Sequence, residues 1–72
     1  MITTLKYFDV FDTNKNEVVA SYALKLNGYD YELHTKTEII MSGIEAERHY
    51  PELLSNQRML CGMIPNLEIV EH

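Results

Sequence analysis

Val18-Val19-Ala20-Ser21-Tyr22-Ala23-Leu24-Lys25-Leu26, then Asn27-Gly28, then Tyr29-Asp30-Tyr31-Glu32-Leu33, is the stretch whose reading decides the fold. Every second residue from Val18 to Leu26 is apolar, and the alternation resumes after Asn27-Gly28. A period of two puts those side chains on one face of a strand, and Asn-Gly supplies the positive φ of a tight type I′ hairpin turn. The spacing predicts Leu26 opposite Tyr29, Leu24 opposite Tyr31 and Tyr22 opposite Leu33, three aromatic–aliphatic pairs on one face. Val18/Val19, Tyr22 and Leu26 also recur at helical spacing, with Gly28 placed to close a helix. The strict alternation on both sides of Asn27-Gly28 favours strands.

Working outward, residues 3–12 read as a first strand, followed by the polar turn cluster Asp12-Thr13-Asn14-Lys15-Asn16. Pairing Phe11 with Val18 places Leu5 and Tyr7 opposite Leu24 and Tyr22, facing the apolar row of the hairpin. A one-residue shift brings Lys6 and Phe8 there instead, a poorer match. In the preferred register Asp9 falls opposite Ala20, a misfit of the kind a bulge produces. Phe8 and Val10 then project from the opposite face beside Val19 and Ala23.

Beyond Thr35-Lys36-Thr37 the spacing of Ile40, Ile44 and Arg48 predicts a helix over 38–50, with Thr37 as cap and Gly43 as its weak point. Pro51 suits a helix start, which predicts a second helix over 51–63, its buried stripe drawn from Leu53, Leu54, Leu60, Cys61 and Ile64. Gly62 and Pro65 end it, and Leu67-Glu68-Ile69-Val70 reads as a short final strand. The expected fold is α+β: one domain, 1–72, of order β-β-β-α-α-β, a small antiparallel sheet with one or two helices packed on one face.

A chain of 72 residues buries only roughly 60% of the surface its unfolded form exposes, too little for a deep, water-excluding active site. Its single cysteine, Cys61, has no internal disulfide partner, and no metal-type cysteine spacing is present. A reducing, cytoplasmic setting is therefore expected. Met1–Lys6 has no basic segment leading into an apolar run and nothing approaches a membrane span, so neither a secretory signal nor a membrane partner is expected. Eleven acidic against six basic residues give a net charge of −5, which opposes direct nucleic-acid binding and favours a partner with a basic face.

Three groups of side chains carry candidate chemistry. Glu45, Arg48, His49 and Glu52 recur at helical spacing, and a Glu-x-x-x-His pair can ligate a transition metal. Such a site needs a third ligand, and Pro51 interrupts the run, so a solvated face of ion pairs without metal or cofactor is expected. Glu32 and His34, two apart on the third strand, share a face on which a carboxylate could orient an imidazole. No nucleophile, oxyanion loop or phosphate-cradling glycine cluster accompanies them, and no catalytic residue is assigned. His72, at the end of the sequence, is expected to be mobile. The third group is Phe8 and Val10, an apolar patch on the face the helices leave open.

These features together predict a non-enzymatic protein-binding module, a small inhibitor or regulator that occupies a surface of a larger protein such as the basic groove of a nucleic-acid-handling enzyme. Phe8, Val10, Glu32 and His34 on the outer sheet, and Glu45, Arg48 and Glu52 on the helical face, are its expected contact residues. Attachment is expected either by pairing at a sheet edge or by an acidic helix face. In size and acidity the chain is similar to many inhibitors carried by phages and mobile elements, a class likeness that no motif narrows. The competing readings are a small enzyme or metal-dependent sensor centred on His34 or His49, and a structural homodimer joined through its sheet.

Overall fold

The computed structural model describes residues 1–72. The chain runs β1 (Ile2–Asp12), β2 (Glu17–Asn27), β3 (Asp30–Thr35), β4 (Ile39–Ser42), α1 (Ile44–Met63) and β5 (Leu67–Glu71). The strands form one antiparallel sheet in the order β4-β3-β2-β1-β5. After the four-strand meander, α1 crosses one face and delivers β5 to the opposite edge. The α+β class and the helix-covered face are as the sequence predicts; the order is β-β-β-β-α-β. No helix is long and apolar enough to cross a membrane.

The central hairpin forms with its turn one residue later than expected. Asn27 pairs with Asp30, so Gly28 and Tyr29 make the bend, and Leu26 faces Tyr31 while Leu24 faces Leu33. Gly28 has φ 64° and Tyr29 a negative φ, the pattern of a type II′ turn with glycine at its first central position. Moving the turn by one residue moves each cross-strand partner by two, which preserves side-chain parity. Tyr31 and Leu33 therefore stay on the core face, and Tyr29 alone is lost to solvent.

The β1–β2 ladder departs from the simple register in a more consequential way. Near one end Thr3 faces Leu26 and Thr4 faces Lys25, and near the other Phe11 faces Val18, in the register predicted. Between these ends two irregularities compensate: Leu5 is extra on β1 and Val19 is extra on β2. Inside that window every pair is displaced by one, giving Lys6–Leu24, Phe8–Tyr22, Asp9–Ser21 and Val10–Ala20. A slip of one exchanges the two faces of a strand. Phe8 and Val10 are accordingly 0% and 3% exposed at the centre of the core, and the expectation that they form an outer apolar patch is overturned. Tyr7 and Asp9 take the outer face instead. Lys6 is tolerated on the helix side because it sits at the rim of the covered area, where its ammonium stays in water above a half-apolar cleft.

The segment expected to begin a helix is β4. Thr35 turns the chain sharply: its Oγ1 accepts from the Glu38 amide at 3.1 Å, and its own amide donates to Glu38 O at 2.8 Å. Ile39-Ile40-Met41 is then an apolar, largely β-branched run that fits a pleated edge, with Met41 facing Leu33. Gly43 makes the break, its φ 81° and ψ −164° falling in a region open essentially to glycine alone. From Ile44 a single helix continues through Pro51 to Met63, so the predicted boundary at Pro51 is absent. Proline removes one intrahelical hydrogen bond, and contacts on both sides outweigh it: Ala46 and Tyr50 are buried before it, and Leu53 and Leu54 lie against the core after it.

Phe8, Val10, Leu24, Leu33, Ala46 and Tyr50 form the core. The Phe8 ring meets Tyr22 at 5.2 Å and the edge of Tyr50 at 5.8 Å between centroids. The buried Asp12 closes one end of the layer. Its Oδ1 accepts from the Asn14 amide at 2.9 Å, the Lys15 amide at 3.2 Å and Asn66 Nδ2 at 3.1 Å, while the Thr13 amide donates to Asn66 O at 2.8 Å. One carboxylate thereby fastens the β1–β2 turn to the α1–β5 turn. Those bonds, Asn66 foremost and the Lys15 amide next, hold its carboxyl below the ordinary range.

Candidate functional site

The face opposite α1 carries the most organised set of side chains in the molecule. Alternation in the shifted ladder brings Ile39, His34, Ala23 and Tyr7 into one row across the strands. Beside it run Ser42, Glu32, Lys25 and Thr4 in a second row, and Ser21, Asp9 and Val70 in a third. Ser21 and Ala23, the small side chains of the middle strand, floor a hollow of about 330 Å³ walled by Tyr7 and Asp9 on one side and His34 and Lys36 on the other. A second opening shares Tyr7, Ala23 and Lys25 and extends toward Thr4.

The walls are held by bonds among themselves. Ser21 Oγ donates to Asp9 Oδ1 at 2.6 Å, and His72 Nε2 lies 2.9 Å from Asp9 Oδ2. The His72 ring stacks on Tyr7 at 4.3 Å, its plane tilted by only 10°, and its amide donates to Tyr7 O at 3.1 Å. The expectation of a mobile His72 is thus corrected: pairing of β5 with β1 seats it. Across the hollow, His34 Nε2 lies 3.0 Å from Glu32 Oε1, and Asn27 Nδ2 donates to Glu32 Oε2 at 3.3 Å. The Ser21 hydroxyl and then His72 hold the Asp9 carboxyl below its ordinary range against the opposing push of burial. His34 and then Asn27 do the same for Glu32.

Chemically, these are two carboxylate–histidine pairs and two lysines, Lys25 and Lys36, that make no ion pair within 4.0 Å. Ser21, Asp9 and His72 have the residue types of a nucleophilic triad in the wrong order. There the imidazole stands between hydroxyl and carboxylate and takes the hydroxyl proton; here the carboxylate stands in the middle and the serine proton points at it. What the arrangement does supply is a surface whose polar and aromatic groups are already fixed in one geometry.

The seven expected contact residues fall in three places. Glu32 and His34 are on the open face, as predicted, and are bonded to each other. Phe8 and Val10 lie on the other side of the sheet beneath α1, out of reach of any partner. Glu45, Arg48 and Glu52 come together with His49 and Met41 around a shallow notch at the flank of α1 beside β4, where His49 Nδ1 is 3.6 Å from Glu52 Oε2. No three His, Cys, Asp or Glu side chains converge at a geometry suited to a metal ion. Tyr7, Asp9, Ser21, Ala23 and His72 were not among the expected contacts. The Asp9 misfit in the unbulged register was the signal in the sequence that could have located them.

The free edges of the sheet are less suited to pairing. The N-terminal half of β1 has no neighbour beyond it, since β5 pairs only with Phe8–Asp12, but the extra residue Leu5 and the charge of Lys6 interrupt it. The opposite edge, β4, is four residues long and irregular at Ile40. Bulges, short strands and lysines are the devices that blunt an edge against addition of another strand.

No family model matches the chain, and neither a curated protein nor a solved structure is significantly similar to it.

Proposed function

We propose that the chain is a non-enzymatic protein-binding module that docks through the helix-free face of its sheet. The observation that carries this reading is the fixed state of that face. Tyr7 is held by the His72 stack, Asp9 by Ser21 and His72, and Glu32 by His34 and Asn27. Ordering long side chains on association costs about 0.5–1.5 kcal/mol each, so groups already fixed lose less when a partner arrives. A tyrosine beside a hollow also suits the residue preferences of interface centres. The blunted edges favour face docking over strand addition.

In this reading the module is a small acidic regulator or inhibitor of a larger protein, of the general kind phages and mobile elements carry. Its net charge of −5 favours a basic partner, such as an enzyme that handles nucleic acid, by faster and more selective encounter. The cytoplasm is the proposed setting, since the unpaired Cys61 persists as a thiol in a reducing compartment. The test is a pull-down from nuclease-treated lysate of the source cell using wild type, Ala23→Arg and the double variant Glu45→Lys/Glu52→Lys. A protein retained stoichiometrically by wild type and lost with Ala23→Arg supports docking through the open face. One lost only with the helix charge reversals transfers the site to α1.

The 3.0 Å contact between Glu32 and His34 favours one second reading, a histidine-centred activity. It requires that His34→Ala abolish a turnover while leaving the folded structure and any retained protein unchanged. A broad interface does not depend on a single side chain in that way.

A further inference from the structure

We infer that the occupant of the open sheet face is a second copy of this chain, packed sheet against sheet about a two-fold axis that runs along the strands midway between β2 and β3. The inference rests on the reading of that face as a docking surface and names what covers it in the isolated protein.

The argument comes from the ladder registers. Facing sheets pack about 10 Å apart with strand directions within about 30° of each other, so rows near the axis stay opposed. Reflecting columns across the β2–β3 line brings β2 over the partner's β3 and β1 over the partner's β4, each row meeting itself. Ala23 then faces the partner's His34, so the floor of one hollow receives the wall of the other. Lys25 faces the partner's Glu32, opposite charges directly across the interface. Tyr7, 42% exposed, faces the partner's Ile39, 53% exposed, and both lose contact with water. All three contacts are complementary, and the axis makes each twice.

The lysines of this face, Lys25 and Lys36, make no ion pair within their own chain and stand among the carboxylates Asp9, Asp30 and Glu32, with Glu68 at the far edge on β5. In the dimer both α1 helices, with Glu45 and Glu52, lie on the outer sides, away from the contact.

The test is sedimentation equilibrium of the full chain from about 10 µM to about 1 mM, for wild type, Ala23→Arg, Lys25→Glu and Lys25→Glu/Glu32→Lys. Wild type is expected to dimerise within that range, and Ala23→Arg, which fills the hollow with a cation, to remain monomeric. Lys25→Glu should weaken the dimer at least about tenfold, and the charge-swapped double variant should recover most of the loss. Urea midpoints at the lowest concentration separate these effects from unfolding; if Ala23→Arg fails to fold, the lysine and double variants decide. Wild type that stays monomeric throughout, or a dimer indifferent to both Ala23→Arg and the charge swap, overturns the inference. Loss of a lysate partner with Ala23→Arg would still uphold the docking face in the first of those cases, so the two readings fail separately.

Discussion

Replacing Phe8 by alanine, beside the same change at Tyr7, tests the bulged ladder on which the placement of the open face depends. Phe8 is fully buried and touches both Tyr22 and Tyr50; truncating a core phenylalanine costs about 3–5 kcal/mol through lost transfer energy and the cavity left behind. Tyr7 is 42% exposed and its one defined partner is the stacked His72, so its removal forfeits about 0.5–1.5 kcal/mol. A chain of 72 residues at roughly 0.05–0.15 kcal/mol per residue has about 4–11 kcal/mol in total. Phe8→Ala therefore brings the protein close to unfolding, and Tyr7→Ala leaves it folded. Urea titration followed by circular dichroism reads the difference. With a slope of about 1 kcal/mol per molar, the two midpoints should differ by about 1.5 M or more. Val10→Ala, a smaller deletion at a neighbouring core site, gives an intermediate loss and keeps the comparison open if Phe8→Ala does not fold. In a ladder without bulges Tyr7 is the core residue and Phe8 the outer one. Tyr7→Ala costing as much as Phe8→Ala would refute the shifted register and the open face with it.

Gly43→Ala should destabilise the fold by about 1–3 kcal/mol. Its φ of 81° is the reason, since a Cβ there meets nothing within 4 Å. Gly62→Ala, equally free of contacts but within α1, should stabilise by about 0.5–1 kcal/mol; equal signs for the two changes in urea titration would contradict the assignment of strain to Gly43. Asp12 has a depressed folded-state carboxyl value, so its stabilising effect is complete above the ordinary 3.8 and disappears as pH falls through the lower native value. Asp12→Asn should be less stable than wild type at pH 7, with a gap that closes below about pH 4, and a gap constant in pH would count against the clasp. Burial pushes the Cys61 thiol up; its reaction with a disulfide reagent at pH 8 should be at least about tenfold slower in the native protein than in urea, and equal rates would place the thiol in open solvent.

Where the sequence was legible, local chemistry and long-range pairing agreed. The alternation around Asn27-Gly28 survives a one-residue displacement of the turn because parity depends on even displacements, so it places Leu24, Tyr31 and Leu33 on the core face with either turn. The pairs near the ladder ends, Thr3–Leu26 and Phe11–Val18, were likewise readable. Two compensating bulges were not, because an extra residue leaves the pattern intact on both flanks and shows only as misfits between them. Asp9 opposite Ala20 was that misfit, and it is resolved by the bond to Ser21. β4 escaped notice because three apolar residues suit either a short edge strand or a helix turn, and only the sheet selects between them. Pro51 misled in the opposite direction, its local preference overridden by the packing of Tyr50 and Leu54. Of the candidate site, the Glu32–His34 pair was visible from spacing alone. Asp9, Ser21 and His72 meet only after β5 has joined β1 across sixty residues of chain, a pairing no local pattern announces.

The measurement that bears most directly on docking through the helix-free face is a comparison of backbone amide spectra of the full chain at about 20 µM and about 1 mM. Concentration-dependent shifts should gather at Tyr7, Ser21, Ala23, Lys25 and His34 and leave the solvent side of α1 unmoved. Shifts confined to Ile2–Lys6, to the β4 edge or to Met59 and Met63, or spectra that do not change with concentration, would contradict self-association through that face.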